Sequence, residues 1–249
     1  MQGFETNITS VEISLTDKCN RSCSFCPQTF DSFQNLYSNK FIEYKTLVNI
    51  KNQLDQFSHK PLISLAGFGE PLLYKKIVNA VQLFDDYKIV IFTNLDNTKL
   101  LYQIDQENVF IFGNLYDEYR ETHYMELLNK LTKSKFTYVK HWEADLERYQ
   151  NRNKLFDHLG KEEDLSKPCN HPISSLMIDH LGNIILCCND WYRSNIFGNI
   201  NDSTILNIIN GKYKEIAQLI NGNRNNYEFC VGCNQKFSNT LSSKFEHMF

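Results

Sequence analysis

The sequence predicts an α/β protein whose first half forms a parallel β-sheet. Short apolar runs alternate with longer segments in which apolar residues recur every three or four positions, as in amphipathic helices. The runs are residues 11–16, 62–66, 88–93, 109–112 and 136–140, and the helical segments are 44–57, 75–86 and 117–133. Strands separated by helices in this way form βαβ units, which predict a parallel sheet, open or closed into a barrel.

The first predicted strand has one polar face. Val11, Ile13 and Leu15 fall on one side of it, while Glu12 and the hydroxyl residues at 14 and 16 fall on the other. A parallel strand that is buried on both faces is normally apolar on both. The polar face therefore predicts that this strand lines a cavity.

The composition limits the class of protein. The chain has 249 residues, of which 42% are hydrophobic and 22% charged, so a packed core is expected. A net charge of -3 and the lack of a long basic run argue against a nucleic-acid partner. No stretch reaches the roughly 18 apolar residues of a membrane helix, and the first residues do not resemble a signal peptide. We expect a cytoplasmic protein with neither nucleic-acid nor membrane partners.

A second, smaller unit follows the sheet. Residues 143–167 are polar and rich in charge, as expected of a bridging segment. Beyond them, residues 175–179 and 183–187 flank the turn Leu181-Gly182 and predict a β-hairpin, and residues 205–221 predict a helix. This pattern predicts two domains, at residues 1–165 and 166–249.

Eight cysteines lie in two groups. The first group is on the loop after the first strand and the second is in the last third of the chain: Cys19, Cys23 and Cys26, then Cys169, Cys187, Cys188, Cys230 and Cys233. In a reducing compartment, clustered cysteines indicate metal or redox chemistry. Three thiolates on one loop can hold three irons of a [4Fe–4S] cluster and leave the fourth iron open. On spacing alone, zinc bound by residues 23, 26, 230 and 233 is an alternative.

The motif C-x3-C-x-Phe-C, with Phe25 before its last cysteine, resembles the signature of radical S-adenosylmethionine (SAM) enzymes. The resemblance implies a partial (β/α)6 barrel with its site at the carboxyl ends of the strands. It also implies that the open iron binds the amino and carboxylate groups of SAM. The 5′-deoxyadenosyl radical formed there takes a hydrogen atom from the substrate.

Further motifs resemble the SAM-binding elements of that family. Residues 68–71, Phe-Gly-Glu-Pro, resemble Gly-Gly-Glu-Pro, and residues 93–95, Thr-Asn-Leu, resemble Thr-Asn-Gly. A polar residue after the fourth strand, here at 114, takes the place of a ribose contact, although an asparagine chosen for a turn is the alternative. The resemblance assigns SAM binding to Phe25, Gly69, Glu70, Thr93, Asn94 and Asn114.

The second cysteine group resembles the SPASM/twitch extension in its short form, with one auxiliary [4Fe–4S] cluster. The implied ligands are Cys169, Cys187, Cys230 and Cys233. Cys188 is the spare, and the adjacent pair leaves the choice between residues 187 and 188 open. Electron transfer is the implied role of this cluster, with structural stabilisation as the alternative.

Taken over nearly the whole chain, the pattern resembles radical SAM dehydrogenases that oxidise an alcohol of a cyclitol. Their auxiliary cluster accepts an electron from the substrate radical. By position, Glu12 and Arg152 are the implied catalytic residues; the alternatives are a buried structural carboxylate and a surface or SAM contact. Asn189, Asp190 and Trp191 are candidates for the pocket wall. A structural role is expected for the histidine at 141.

The implied partners are a small sugar or cyclitol-like substrate and an external one-electron donor such as flavodoxin or ferredoxin, with the chain acting as a monomer. Two other functions remain open at this stage. One is the modification of a ribosomally made peptide by crosslinking, thioether formation or epimerisation. The other is a non-enzymatic, metal-stabilised binding protein.

Overall fold

One eight-stranded sheet runs through the part of the chain that the computed structural model describes, residues 4–143, 168–231, 233, 245 and 249. The strands are β1 (Ser10–Ile13), β2 (Leu62–Leu65), β3 (Ile89–Thr93), β4 (Val109–Leu115), β5 (Lys135–Lys140), β6 (Ser175–Ile178), β7 (Asn183–Ile185) and β8 (Ile196–Asn199). Their order across the sheet is β5-β4-β3-β2-β1-β6-β7-β8.

Six of these strands are parallel. β1 to β5 follow one another in order, as the βαβ pattern predicts, and β6 lies on the free side of β1 in the same direction. β7 and β8 are antiparallel additions, and β6 and β7 form the predicted hairpin. The sixth parallel strand thus comes from the cysteine-rich part of the chain, and β8 was not among the strands predicted from alternation.

Most of the helices pack against one face of the sheet, the convex face, whereas the first helix packs through Phe33 with Phe68 and Met177 outside the main hydrophobic core. The helices are α1 (Asp31–Gln34), α2 (Tyr44–Leu54), α3 (Ile77–Leu83), α4 (Glu121–Asn129), α5 (His171–Ser174), α6 (Ile205–Ile208) and α7 (Lys214–Gly222). The predicted helix at 205–221 is not continuous, because Gly211 has a non-helical backbone (φ -90, ψ -139) and the turn Ile209–Tyr213 widens there. The predicted division at residues 165 and 166 falls outside the described residues and stays a prediction.

The alternation of side chains separates a packed face from a cavity face. On the convex face, Val11, Ile13 and Ile63 join the main hydrophobic core with the helices. On the concave face, Glu12 of β1 and the rings of Phe92 and Phe112 line a cavity. The polar face of β1 therefore lies where the sequence pattern predicted.

An aromatic cluster packs on the cavity face of β3 and β4. Phe245 is buried and packs edge-on against Phe92, with ring centroids 5.9 Å apart, and against Phe112 at 6.2 Å. It also contacts Phe110, which lies deeper on the same face of β4.

None of the helices among the described residues is long and apolar enough to cross a bilayer.

Candidate active site

A cavity of about 420 Å³ opens at the carboxyl ends of the parallel strands. In barrels of parallel strands this is the end at which active sites form. The cavity brings together nearly all of the residues that the sequence analysis singled out in the first half of the chain: Glu12, Cys19, Cys23, Phe25, Cys26, Gly69, Glu70, Thr93, Asn94 and Asn114. Arg152 lies outside the described residues.

The loop of the first cysteine group is packed directly against residues 67–70. The backbone N–H of Glu70 donates to the carbonyl of Lys18 over 2.9 Å. A Cβ at Gly69 would lie only 2.4 Å from that same carbonyl oxygen and 2.6 Å from that of Thr16. Only a glycine permits this approach, because real Cβ atoms essentially never come within 3.0 Å of another heavy atom.

Arg21 fastens the cysteine loop to the ends of β3 and β4. Its guanidinium donates to Asp96 over 2.5 and 2.7 Å and to Asp117 over 2.5 Å. Next to it, the side chain of Asn20 accepts a hydrogen bond of 2.9 Å from Asn94. Bidentate arginine–carboxylate pairs combine strength with fixed orientation. The residues between Cys19 and Cys23 therefore hold the loop in place, a role that the motif itself does not reveal.

Glu70 is a buried carboxylate with three hydrogen bonds. It accepts from the backbone N–H of Leu72 at 2.9 Å, the hydroxyl of Thr93 at 2.7 Å and the backbone N–H of Asn94 at 2.8 Å. Burial raises the pKa of this carboxyl to about 7, although the three hydrogen bonds act in the opposite direction. Such a group is well suited to receive a cation, since an ammonium would compensate the buried negative charge.

Residues 93–95 form a turn that orients this carboxylate. The hydroxyl of Thr93 also accepts from the backbone N–H of Leu95 at 3.1 Å. Leu95 has φ 58, the left-handed conformation that favours glycine, and its side chain is fully buried. The position at which this chain departs from the family pattern therefore has a backbone conformation that glycine adopts without strain.

An aromatic wall closes one side of the cavity. The ring of His141 is stacked on Tyr116, with centroids 4.4 Å apart, and lies 5.3 Å from Phe25. Its Nε2 is 3.2 Å from Oδ1 of Asn114. Asn114 lies within β4, paired with Val139, so the alternative of a turn asparagine is wrong. The histidine at 141 belongs to the cavity lining, and Tyr116 was missed because nothing in its local sequence distinguishes it.

The wall opposite the aromatic one is formed in part by the region of the second cysteine group. Glu12 of β1 lines it together with Cys188 and Trp191, which come from the segment after β7. The ring of Trp191 packs edge-on against Phe68, with centroids 5.1 Å apart. Of the three residues considered for the pocket wall, the structure brings only this tryptophan to the cavity.

The other two have different roles. Asp190 is fully buried and accepts from the backbone N–H groups of Ser194 and Asn195, at 2.9 and 2.8 Å. Asn189 donates to Sγ of Cys233 over 3.6 Å. Asn189 therefore belongs to the surroundings of the second cysteine group, whereas Asp190 holds the turn after Cys188, and neither lines the cavity of the first group.

The second group surrounds its own small cavity. It is lined by Cys169, Cys187, Cys230 and Cys233, whereas Cys188 faces the larger cavity. This geometry separates the two neighbouring cysteines and favours the one at 187 as the ligand. It does not support zinc shared between the two groups, because the cysteines at 23 and 26 line a different cavity from those at 230 and 233.

Burial raises the pKa of five of these thiols. Burial, followed by neighbouring thiols, raises the pKa of Cys23 and of Cys230 to about 12 each. Burial raises the pKa of Cys19 and of Cys169 to about 11, and that of Cys187 well above its ordinary value. Metal–thiolate bonds hold the deprotonated form, so binding of a cluster would release protons. Three thiols beside an open cavity and four around a closed one fit an open and a fully ligated iron–sulfur cluster, respectively.

Hydrogen bonds and ion pairs around the buried Asp17 connect the two cysteine regions. Asp17, two residues before Cys19, accepts from the backbone and hydroxyl of Ser38 at 2.7 and 3.0 Å. From the other side, Arg193 donates to the same oxygen over 3.4 Å, and Nε2 of His180 lies 3.4 Å from it. The loop of the first group is thus fixed against the segment that follows β7.

Comparison with known proteins supports this organisation. Residues 169–234 match the SPASM iron–sulfur cluster-binding domain. Over 235 residues the chain is 24% identical to the S-adenosyl-L-methionine-dependent 2-deoxy-scyllo-inosamine dehydrogenase of Niallia circulans, and the match covers 90% of this chain and 92% of the relative.

Two solved structures share the fold over most of the chain. One is BtrN in complex with AdoMet and 2-DOIA, with a TM-score of 0.73, 20% identity and coverage of 92% of this chain and 93% of that one. The other is anSMEcpe with bound AdoMet, with a TM-score of 0.57, 13% identity and coverage of 85% and 83%. The predicted fold class, a radical SAM-type α/β fold with a C-terminal cluster-binding domain, is confirmed.

Proposed function

We propose that this chain, a SAM-dependent oxidoreductase with an iron–sulfur domain, oxidises an alcohol of a small polyhydroxylated substrate such as a cyclitol or sugar. The class is confirmed by the similarity to a SAM-dependent dehydrogenase and by the SPASM match. The observation that carries the proposal is that a single cavity lies between the two cysteine groups: Cys19, Cys23 and Cys26 form one wall and Cys188, next to Cys187, the other. A substrate bound there lies between a hydrogen-abstracting site and an electron acceptor.

The first group and its neighbours would hold the cofactor. The three cysteines on the loop ligate the first [4Fe–4S] cluster, and Gly69 and Glu70 receive the SAM ammonium through backbone carbonyls and the buried carboxylate. Thr93 and the backbone of Asn94 orient that carboxylate by the hydrogen bonds that they donate to it. Phe25 and Asn114 belong to the aromatic wall, which offers a flat surface for the adenosine.

When bound, SAM and the reduced first cluster supply the oxidant that removes a hydrogen atom, and the second cluster accepts one electron. The protein's own groups manage the proton and the orientation. Glu12 lines the cavity on the wall nearest to Cys188 and is the candidate acceptor for a substrate hydroxyl. Arg152, at the matching position of the family, is proposed to contact the same hydroxyl and to favour its ionised form.

The surroundings of the second group suit an electron acceptor. Asn189 donates to Sγ of Cys233, and the guanidinium of Arg224 donates to the carbonyl of that cysteine over 3.1 Å. Hydrogen bonds to ligand sulfurs and nearby positive charge stabilise the reduced form of a cluster and raise its potential. With four thiols around the cavity, no coordination position is left for a substrate, so electron transfer is the role that we propose.

The proposal extends to the compartment, the oligomeric state and the electron donor of the enzyme. We propose that the enzyme works in the cytoplasm as a monomer and receives electrons from a protein of the flavodoxin or ferredoxin class. Peptide modification and a non-enzymatic binding role are not favoured, since the relative that matches most of the chain is a dehydrogenase.

Anaerobic turnover with dithionite tests the proposal. Reconstituted enzyme is supplied with SAM and a panel of cyclitols, aminocyclitols and sugars, and products are examined for the loss of two hydrogens. Cys23→Ala is expected to abolish SAM cleavage, whereas Cys230→Ala is expected to retain cleavage but to yield no ketone. Normal ketone formation by Cys230→Ala would overturn the electron-acceptor role.

Two substitutions test the proposed catalytic residues, and both are expected to retain the two clusters and the cleavage of SAM. Glu12→Gln is expected to lose about 100-fold in substrate oxidation, as is typical for loss of a positioned acid–base group. Arg152→Lys is expected to lose about 100-fold as well, as is typical for loss of a positioned donor that stabilises developing negative charge. Unchanged oxidation in either variant would remove that residue from the mechanism.

A further inference from the structure

A lysine-rich surface lies behind the first cysteine loop. We call it the lysine face; its members are Lys18, Lys40, Lys45, Lys75 and Lys76, all exposed. At its centre is a groove of about 580 Å³ lined by residues 41–45 and 74–76. The proposed substrate oxidation does not use this groove, which is separate from the cavity between the cysteine groups.

The lysine face is built on the segment that carries Cys19. Lys18 is the residue directly before that cysteine. The carbonyl of Lys40 accepts from the hydroxyl of Thr16 over 2.6 Å, and its N–H donates to Asp17 over 3.1 Å. Phe41 pairs with Thr16 as a β-bridge. The face is therefore an outer surface of the same segment that holds the first cluster site.

The groove combines an apolar centre with a positive rim. Phe41 is 38% exposed, and its ring is stacked on Tyr74 with centroids 6.1 Å apart. Glu43, the one acid that lines the groove, is paired with Lys45 over 2.8 Å. The other four lysines of the face make no ion pair within the described part of the chain, although the whole protein has a net charge of -3. A local excess of positive charge on an acidic protein steers acidic partners to that surface.

We propose that the lysine face docks an acidic one-electron carrier protein of the flavodoxin or ferredoxin class. This inference rests on the proposed function, because the first cluster requires an electron from outside before SAM can be cleaved. The step is the transfer of one electron from the reduced carrier to the oxidised cluster, with no bond made or broken. Protein interfaces usually have an apolar centre surrounded by a polar rim. Transient contacts between redox proteins bury little accessible surface, below about 1,200 Å² in total.

Charge reversal on the face tests the proposal. In Lys75→Glu/Lys76→Glu, the Kd for a purified acidic flavodoxin, measured by calorimetry at low salt, is expected to rise at least about ten-fold. The matched control is Lys133→Glu/Lys135→Glu, which changes the net charge equally at exposed positions at the opposite end of the sheet, and we expect its Kd to stay within about two-fold of wild type. The iron content of all three proteins is measured to show that both clusters are retained.

Two reductants separate this inference from the proposed function. With reduced flavodoxin, SAM cleavage by Lys75→Glu/Lys76→Glu is expected to fall in parallel with binding, whereas with dithionite, which needs no docking surface, it is expected to equal wild type. If Lys75→Glu/Lys76→Glu and Lys133→Glu/Lys135→Glu had the same Kd for flavodoxin, the proposed docking site would be wrong. Tight binding of a DNA oligonucleotide or of anionic vesicles without flavodoxin binding would also overturn it. Absence of SAM cleavage by wild type with dithionite would instead contradict the proposed function.

Discussion

Leu95 is a non-glycine residue that holds a left-handed backbone conformation at the turn beside Glu70. Its φ of 58 places it in the left-handed region, where a side chain costs about 1–2 kcal/mol, yet the leucine is fully buried. Burial of a leucine side chain contributes about 1.5–3 kcal/mol. The apolar contacts therefore offset the backbone strain, and the turn that orients Glu70 is retained without glycine.

Two substitutions at this position should reverse the usual order of stability. Alanine normally stabilises a protein relative to glycine, but at positive φ the order inverts because alanine keeps the strain. Leu95→Gly is therefore expected to be more stable than Leu95→Ala by about 1 kcal/mol, with both below wild type. Urea unfolding of the two variants measures the difference; a more stable alanine variant would show that the turn is not left-handed.

The raised pKa of Glu70 predicts a dependence of stability on pH. The folded-state pKa of about 7 lies above the ordinary value of 4.5, so the folded protein holds a proton that the unfolded chain releases. Above pH 4.5 this group therefore lowers the stability of cluster-free protein progressively until about pH 7. Relative to wild type, Glu70→Gln should gain about 3 kcal/mol between pH 4.5 and 8.

Urea unfolding of both proteins at several pH values between 4.5 and 8 measures this change. A constant difference between wild type and Glu70→Gln would contradict the shifted pKa. The same burial makes the carboxylate a strong receptor for an ammonium group, which connects the titration to the proposed SAM contact.

At the scale of elements, the position of the first cysteine loop depends on Gly69, which allows residues 67–70 to pack directly against the backbone of residues 16–18. The carbonyls of Thr16 and Lys18 lie 2.6 and 2.4 Å from the position that a Cβ on Gly69 would occupy. Since backbone atoms cannot yield as a flexible side chain can, a methyl group must displace the loop that carries Cys19. The packing of this element therefore determines whether the first cluster can form.

Gly69→Ala is expected to lose about four of eight irons and the ability to cleave SAM, because the first site is displaced while the second is untouched. Gly222→Ala is the control, since nothing lies within 4 Å of the position that a Cβ would take there. Iron analysis after anaerobic reconstitution measures both. Full iron content and normal cleavage in Gly69→Ala would show that the close approach is unimportant.

The elements also show what sequence patterns can and cannot predict. The five strands and the hairpin were predictable because alternation and turn residues are local signals. β8 was not, because Ile196–Asn199 is short and contains Gly198, and its strand character comes only from pairing with β7. The bend at Gly211 was also missed, since a single glycine is tolerated within a helical pattern.

Across the whole molecule, one sheet carries both cysteine groups. The loop after β1 bears the first, whereas the second is assembled from residues before β6, after β7 and after α7. The parallel pairing of β1 with β6 places the β6–β7 hairpin beside the strand that leads into the first group. Sequence motifs predicted each group separately. They could not predict which of Cys187 and Cys188 faces which cavity, because that depends on how β7 ends in three dimensions.

The same limit applies to the cavity walls. Tyr116 and Cys188 reach the cavity from separate parts of the chain, and no local spacing relates the two, whereas Trp191 was among the candidates for the pocket wall. Residues with a motif of their own, such as Glu70, could be predicted because the motif includes their immediate neighbours.

The iron and zinc content of anaerobically reconstituted protein, measured with Cys187→Ser and Cys188→Ser, tests the central claim most directly. Two separate clusters predict about eight irons per chain in wild type and in Cys188→Ser, and about four in Cys187→Ser. About four irons in wild type, zinc in place of iron, or a loss of four irons in Cys188→Ser but not in Cys187→Ser would contradict the account of a substrate cavity between two iron–sulfur clusters.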